Sequence, residues 1–215
     1  PVLIITDTNA TSKGIKSAKL DYNTRLWSSV TTIDGLTAGA LGAAHLSSSY
    51  QTSTGNIVVA FQDLNTTNVK YAASSDGSTW TTPFVISGSN RGQGVNIKIS
   101  PATGSPAVSY YDYLNNTVYY TSCSGTPSSC ATAGWSSTTL DTTAGVSGLT
   151  AATGQVLTTA LTINSYGQAH VMFPHGATND GNLVLSHNRF GSFSQQVASA
   201  GSNGALTGSA AINYG

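Results

Sequence analysis

The sequence is short of charge. It contains no glutamate, and its eight lysines and arginines balance its eight aspartates, so the formal net charge is zero at pH 7. Only 7% of the residues are charged, whereas about 25% is usual for a soluble globular domain. A neutral surface creates no field that attracts nucleic acid or an anionic membrane. We therefore expect no nucleic-acid partner and a surface made polar by Ser, Thr and Asn.

Long apolar runs are also missing. No stretch approaches the roughly 18 consecutive apolar residues of a membrane span, and the N-terminus lacks the charged-then-apolar order of a signal peptide. The chain begins at PVLIIT, already within a strand-like run, as a processed or excised segment of a longer protein would. We expect no membrane insertion.

Cysteine is limited to Cys123 and Cys130, which enclose the Gly-, Pro- and Ser-containing loop CSGTPSSC. Such a loop closes on itself easily, so we predict a disulfide, which is typical of an oxidising compartment. A pair of free thiols in a cytosolic protein is the alternative. Together with the Ser/Thr/Asn-rich composition, the disulfide favours a secreted or cell-surface protein.

What the chain has in abundance is a repeated pattern. TGNIVVAFQDLNTTNVKYAAS (54–74) and SPAVSYYDYLNNTVYYTSC (105–123) share an apolar alternation, an Asp, an Asn/Thr turn, and a Val that opens a second alternation. A turn and a Trp-containing strand follow each copy, in 75–86 and 131–141. A third copy starts at TALTINSYG, and a fourth is split between PVLIIT at the start of the chain and SAAINYG at its end.

Four-stranded antiparallel repeats of about 50 residues are typical of propeller blades. We predict an all-β, four-bladed β-propeller in one domain (1–215). We expect the C-terminal strand to pair with the N-terminal blade and so close the ring, because this pairing covers strand edges that would otherwise be exposed. The predicted blades span 209–215 plus 1–34, 43–86, 96–141 and 157–199. The alternatives are an open β-sandwich, a stack of repeats, and a ring with more blades or one completed by another copy of the chain.

One turn carries a family resemblance. SSDGSTW (74–80) resembles the Asp-box of sialidase-like and related lectin propellers, a Ser-x-Asp-x-Gly-x-Thr-Trp hairpin, but has one residue fewer between Asp76 and Thr79. The resemblance implies a structural turn remote from the ligand, with Asp76 and Trp80 holding the blade. The order of YYD, NNTVYYTSC and Trp also looks like propeller repeats of exported bacterial proteins, which implies a bacterial origin.

Propeller geometry places the turns between second and third strands on one face. The copies put Asp7, Asp63, Asp112 and His175 at equivalent positions there, directly after the second strand. They predict a polar collar that hydrogen-bonds sugar hydroxyls or holds a cation. The alternative is that each Asp accepts N–H bonds within its own Asn/Thr-rich turn.

Further ligand-binding candidates lie nearby in the repeat scheme. Arg91 and Gln93 occupy a Gly-rich blade connection, and Tyr111, Tyr113 and Phe173 supply aromatic faces that stack on a pyranose. Packing between blades is the alternative role for these aromatics.

Catalytic and metal patterns are weak. Sialidase-like enzymes use an arginine triad and a Tyr paired with Glu, but Arg25, Arg91 and Arg189 are the only arginines, on two different predicted faces, and there is no Glu. Other glycosidases need two carboxylates, which the Asp collar would have to supply. The histidines lack the close spacing of metal ligands. The Asp-containing turns lack the arrangement of carboxylates in a calcium-binding loop, so calcium is possible but unsupported. We assign no cofactor and no catalytic residue.

The leading hypothesis is a lectin-like or adhesin propeller domain that binds cell-surface glycans or polysaccharides without catalysis. Repeated shallow sites would give it avidity, in a homo-oligomer or at a fibre tip. The alternative is a structural or protein-binding module of a larger exported fibre or enzyme, and a glycoside hydrolase is the third option.

Overall fold

A computed structural model describes residues 1–9, 13–35, 43–88, 91–142, 158–175, 182–189 and 192–199. These residues form antiparallel β-sheets, and the helical structure among them is one 3-10 turn, Ser129–Ala131. No helix in the described ranges is long and apolar enough to cross a membrane. The fold is therefore all-β, as the alternating sequence predicts.

Four consecutive groups of strands form four sheets, which we number as blades 1 to 4. The strands of blade 1 are β1 (Val2–Asp7), β2 (Gly14–Lys19) and β3 (Thr31–Gly35). Those of blade 2 are β4 (Ala43–Tyr50), β5 (Ile57–Asp63), β6 (Asn68–Ser74) and β7 (Phe84–Val85). Those of blade 3 are β8 (Arg91–Ile99), β9 (Pro106–Asp112), β10 (Thr117–Cys123) and β11 (Trp135–Asp141). Those of blade 4 are β12 (Ala160–Ile163), β13 (Ala169–His175), β14 (Asn182–Arg189) and β15 (Ser192–Ser199).

Within each blade the strands follow one another in sequence order, and every pairing is antiparallel. The first strands of blades 2 and 3 adjoin: the Ile97 and Ile99 N–H groups of β8 donate to the Ser47 and Ser49 hydroxyls of β4, at 3.2 Å each. This arrangement confirms the predicted four-bladed β-propeller. The strand predicted to complete blade 1, 209–215, lies outside the described residues, and β1 pairs with β2 among the described strands.

Apolar clusters fill the spaces between successive blades. The cluster between blades 1 and 2 contains Ile15, Ile33, Val59, Phe61 and Ala72. The larger cluster between blades 2 and 3 includes Val58, Val69, Tyr71, Ile97 and Tyr110. The cluster between blades 3 and 4 includes Tyr111, Val118, Leu161, Val171 and Phe173. Strand alternation thus sends successive side chains to opposite neighbours, since both sheet faces are covered.

Two strand boundaries differ from the sequence prediction. The blade connection predicted over 87–96 ends earlier, because β8 begins at Arg91. Its pairing with β9 is irregular on both sides of Gln93, where Gly92 (φ 111°) and Gly94 (φ 57°) adopt conformations that favour glycine. The fourth strand of blade 2 is only two residues long, and Pro83, which has no N–H to donate, directly precedes it.

The predicted disulfide between Cys123 and Cys130 is present. It closes a loop that reaches the neighbouring blade, where the Pro127 carbonyl accepts a 2.8 Å hydrogen bond from the Tyr71 hydroxyl. The indole N–H of Trp135 donates to the Cys130 carbonyl at 2.7 Å. The bridge therefore stabilises a loop that belongs to the contact between blades 2 and 3.

Candidate functional site

Four strands, one from each blade, end on one face of the molecule. Asp7, Asp63, Asp112 and His175 are the last residues of β1, β5, β9 and β13. Each pairs with the first residue of the next strand, namely Gly14, Asn68, Thr117 and Asn182. We call these four side chains the collar and this surface the collar face. The repeats thus bring the predicted residues to equivalent positions.

The collar carboxylates accept hydrogen bonds from their own turns. Asp63 Oδ1 accepts the Asn65 N–H at 2.9 Å. Asp112, which is fully buried, accepts the Leu114 and Asn115 N–H groups at 3.0 and 3.1 Å. Asp7 accepts the Asn9 N–H at 2.9 Å. These Asx turns are the alternative role foreseen from the Asn/Thr-rich sequence.

Ion pairs to lysine engage two of the collar carboxylates, Asp63 and Asp7. The Lys70 ammonium lies 2.9 Å from Asp63 and 2.9 Å from Asp34 of blade 1. Lys16 pairs with Asp7. Burial alone would raise the pKa of Asp63, but hydrogen bonds from Lys70 and the Asn65 N–H outweigh it and hold the pKa below its usual value. The carboxylate is therefore ionised and already engaged.

His175 is the one collar residue that is not a carboxylate. Its Nδ1 bonds to Asp141, the last residue of β11 in the preceding blade. The pair joins blade 3 to blade 4, much as Lys70 and Asp34 join blade 2 to blade 1. The sequence placed His175 where the other copies have Asp, but the partner Asp141 was not foreseen.

The predicted aromatic candidates lie largely inside. Phe173 is fully buried and Tyr111 nearly so, both in the cluster between blades 3 and 4. The Tyr111 hydroxyl donates to Asn116 Oδ1 at 2.6 Å, and burial raises the pKa of Tyr111 to about 12. Tyr113 is half-buried against the same cluster. These positions favour packing between blades as their main role.

The two remaining candidates lie in β8. Gln93 is half-buried and pairs with Tyr111, and the backbone of Arg91 pairs with Asp112 in the strand register. His45, a residue that the sequence did not single out, lies in the corresponding irregularity of β4, between the pairs formed by Ala44 and Ser47. It has a positive φ of 50°, and burial lowers the pKa of its imidazole. No local sequence signal distinguishes this strained position.

A cleft opens between blades 1 and 2 on the opposite face. It has a volume of about 700 Å³, within the range typical of small-molecule sites. Two tyrosines on its lining are strongly exposed, Tyr22 by 74% and Tyr50 by 59%. The lining comprises Pro1, Val2, Ile4, Lys19, Tyr22, Ser48, Ser49, Tyr50, Gly55, Ile57, Ser75 and Asp76. Aromatic faces, hydroxyls and one charge of each sign therefore share one concave surface.

Asp76 contributes the carboxylate of the cleft from the turn before Trp80. Its Oδ1 accepts the Thr79 and Ser78 N–H groups at 2.7 Å each, and these bonds lower the pKa of Asp76 to about 2. The Trp80 indole N–H donates to the Ser17 hydroxyl of blade 1 at 2.9 Å. The turn thus orders the rim of the cleft and ties blade 2 to blade 1.

The described residues of the cleft offer hydrogen-bonding groups and aromatic faces to a ligand. An acid with a pKa near 2 has no proton to give at neutral pH, and Asp76 is the only carboxylate among the described residues of the lining. Two carboxyl groups flanking the bond are the usual requirement for glycoside hydrolysis. Among the described residues, no three His, Cys or Asp side chains are grouped to hold a metal ion.

No protein-family model and no curated protein matches the chain. Among solved structures, a protein from Lactobacillus plantarum aligns over 91% of this chain and 51% of its own, with 14% identity and a TM-score of 0.49. A GH43 glycoside hydrolase, engineered to display endo-xylanase and exo-arabinofuranosidase activity, aligns over 97% of this chain and 40% of its own, with 11% identity and a TM-score of 0.49. The chain thus spans about half or less of each, and likeness at this level carries no argument about activity.

Proposed function

We propose that this protein is a non-catalytic carbohydrate-binding propeller domain that acts outside the cell, and that its ligand lies in the cleft between blades 1 and 2. The observation that carries the proposal is the pair of exposed tyrosines, Tyr22 and Tyr50, on one cleft with polar groups. The ligand class is a cell-surface glycan or polysaccharide, bound in the manner of a lectin or adhesin.

Sugar chemistry suits this surface. A pyranose presents an apolar face of C–H groups and a rim of hydroxyls, so it needs aromatic faces together with donors and acceptors. The hydroxyl of Ser48 can both donate and accept, and Asp76, ionised at neutral pH, supplies a carboxylate. The low overall charge agrees with a neutral ligand, because it provides no strong field to attract an ionic one.

The collar is the alternative position for the same activity. Its carboxylates bond to their own turns, and Lys70 and Lys16 neutralise two of them. A sugar would have to displace these bonds, which costs free energy. We therefore place the ligand in the cleft rather than at Asp7, Asp63, Asp112 and His175.

A location outside the cell is supported by the disulfide between Cys123 and Cys130, since such bonds persist in oxidising compartments. Avidity from a homo-oligomer or a fibre tip would strengthen weak binding to a surface that displays many copies of one sugar. This bacterial cell-surface setting is part of the proposal.

The test is a glycan-array screen of the whole chain, including bacterial polysaccharides, followed by titration of any hit against single variants. We expect Tyr22→Ala and Tyr50→Ala to weaken binding at least tenfold. The matched control is Tyr166→Ala, because Tyr166 is 85% exposed and lies in the first hairpin of blade 4. Asp112→Asn, at the collar, should bind as the parent does.

Loss of binding in Asp112→Asn with both cleft variants intact would move the site to the collar face. Equal loss in Tyr166→Ala would show that the tyrosine variants act without specificity. A blank array from a folded sample would refute the carbohydrate proposal and leave a structural or protein-binding module. Release of shortened sugar from a bound glycan would refute the absence of catalysis.

A further inference from the structure

A contact made by an aromatic residue recurs between blades 1 and 2, between blades 2 and 3, and between blades 3 and 4. The Trp80 indole of blade 2 bonds to Ser17 of blade 1. In blade 3, the Trp135 ring lies edge-on to Tyr71 of blade 2, with centroids 5.0 Å apart. In blade 4, the Phe193 ring lies 5.0 Å from Tyr120 of blade 3. Blades 2, 3 and 4 therefore each present an aromatic residue, in or just before the last strand, to the strand of the preceding blade that follows its collar residue.

The positions that receive these aromatics are equivalent in register. Each receiving residue lies three positions after the residue that pairs with a collar residue. Ser17 thus follows Gly14, Tyr71 follows Asn68, and Tyr120 follows Thr117. In blade 4 that partner is Asn182, so the equivalent position is Leu185.

The aromatic that completes the set is Trp27. It bridges to Leu20, just as Trp135 pairs with Cys123 and Phe193 pairs with Asn188. These three strand partners are also equivalent. Each lies six positions after the residue that pairs with the collar residue of its own blade: Leu20 after Gly14, Cys123 after Thr117 and Asn188 after Asn182. Yet Trp27 is 51% exposed, whereas Trp80 and Trp135 are packed against the clusters between blades.

Apolar side chains surround both positions. On blade 1, Ile4 packs against the cluster shared with blade 2, so its strand neighbours Leu3 and Ile5 face the other way, and they are 47% and 38% exposed. On blade 4, Val184 packs against the cluster shared with blade 3. Leu183 and Leu185 therefore face away from blade 3, and Met172 pairs with Leu185 across the sheet.

We infer that these two faces bind each other within one chain and close the ring, with Trp27 packed on Leu185. The face of blade 1 consists of Leu3, Ile5 and Trp27; the face of blade 4 consists of Met172, Leu183 and Leu185. Each chain carries one face of each kind, and the three observed contacts always join an aromatic to the blade that precedes it. In a ring of four, blade 4 precedes blade 1.

The contact is tested with a double-mutant cycle on the whole chain. We expect Trp27→Ala and Leu185→Ala each to lower the melting temperature by roughly 3 to 8 °C. The melting temperature of the double variant should be little lower than that of the less stable single variant, because the two substitutions remove the same contact. Leu114→Ala is the control for loss of a leucine, since Leu114 is 63% exposed in a collar-face turn.

Concentration separates the possible occupants of the blade 1 face. Closure within one chain predicts a monomer by light scattering and a melting temperature that does not change over a hundredfold range of protein concentration. Dimers, with a melting temperature that rises with concentration and falls in Trp27→Ala, would overturn closure within the chain and assign the face to a second copy. Additive losses, or no loss in either single variant, would overturn the contact between Trp27 and Leu185.

Tryptophan emission provides an independent readout. The difference between the spectra of the parent and Trp27→Ala reports Trp27 alone. We expect that difference to be blue-shifted, as for a buried indole, and to shift to the red in Leu185→Ala. A difference spectrum typical of a solvent-exposed indole, unchanged by Leu185→Ala, would contradict the contact between Trp27 and Leu185. That result would not bear on glycan binding at the cleft, which is a separate proposal.

Discussion

Blade 2 contacts a neighbour on each side, and the two contacts use different chemistry. Toward blade 3, the fully buried Tyr71 ring meets Trp135, and its hydroxyl bonds to Pro127. Toward blade 1, the corresponding interaction is a hydrogen bond from the Trp80 indole to Ser17. An ion pair between Lys70 and Asp34 adds to the blade 1 contact.

The difference shows that equivalent register positions in two blades can form different interactions. Tyr71 and Ser17 occupy the same register position, yet one supplies an aromatic ring and the other a small hydroxyl. The blade 2–3 contact rests on apolar burial, which is insensitive to pH, whereas the blade 1–2 contact includes groups that titrate. Substitutions at Tyr71, Lys70 and Asp76 test whether the two contacts differ in this way.

The largest loss is expected at the blade 2–3 contact. Tyr71→Ala removes a fully buried aromatic ring and leaves a cavity, so the free energy of unfolding should fall by about 3 to 5 kcal/mol. Tyr71→Phe keeps the ring and removes only the bond to Pro127, which should cost about 1 kcal/mol.

Urea denaturation at pH 7 measures both losses. Tyr166→Ala, at an 85% exposed tyrosine, is the matched control and should change stability by less than about 0.5 kcal/mol. If Tyr71→Ala lowered the free energy of unfolding no more than Tyr166→Ala does, the blade 2–3 contact would not be the more stabilising of the two.

An intermediate loss is expected at the blade 1–2 contact. Lys70→Met leaves Asp63, whose side chain is only 4% exposed, without its cation, and we expect a loss of about 2 to 3 kcal/mol. Asp34→Asn leaves the pair of Lys70 with Asp63 in place, so about 1 kcal/mol is expected. Equal losses in the two variants would mean that Asp63 does not depend on Lys70.

The pH dependence of this contact follows from the directions of the two pKa shifts. Burial opposes the charge on both groups, but bonds from Lys70 and the Asn65 N–H outweigh it at Asp63, and bonds to Asp63 and Asp34 outweigh it at Lys70. The pKa of Asp63 is therefore lowered and that of Lys70 is raised. The stabilisation from Asp63 is complete above its unfolded pKa, near 3.8, and disappears as pH falls through the folded value. The stabilisation from Lys70 is complete below its unfolded pKa, near 10.5, and disappears as pH rises through the folded value. Lys70→Met should flatten the stability profile at both ends, and a profile unchanged in shape would contradict this account.

The repeat made the architecture predictable from sequence. Strand alternation, the turns after Asp63 and Asp112, and the loop between Cys123 and Cys130 are all local features, and they fix the blades, the collar positions and the disulfide. The Asx turns were also foreseeable, because Asn and Thr follow each Asp in blades 2 and 3 within a few residues.

The cleft was not predictable in the same way. Tyr22 lies in a turn of blade 1 and Tyr50 is the last residue of β4 in blade 2, and only the packing of these two blades brings them onto one surface. Arg91 and Gln93 were placed in a loop because Gly92 and Gly94 resemble turn residues, whereas here the glycines permit irregular pairing within a strand. His45 has no glycine beside it to mark its positive φ.

The smallest loss is expected at the turn that precedes Trp80. Asp76→Asn keeps an acceptor for the Thr79 and Ser78 N–H groups but removes its charge, and because the carboxylate is solvent-screened we expect less than about 1 kcal/mol. The folded pKa of about 2 lies below the ordinary value of 3.8, so the stabilisation is complete above pH 4 or so and disappears as pH falls toward 2. Parent and variant should therefore converge in stability at low pH, as followed by thermal unfolding from pH 7 to pH 2.

Asp76 also connects the blade 1–2 contact to the proposed cleft. If its charge serves only the turn, Asp76→Asn should bind glycan as the parent does, with the melting temperature slightly lowered. If it also accepts a sugar hydroxyl, binding should weaken by much more than the change in stability explains, because a charged acceptor forms the stronger bond. A stability that stays below that of the parent by the same amount at every pH would instead show that the carboxylate charge is not what orders this turn.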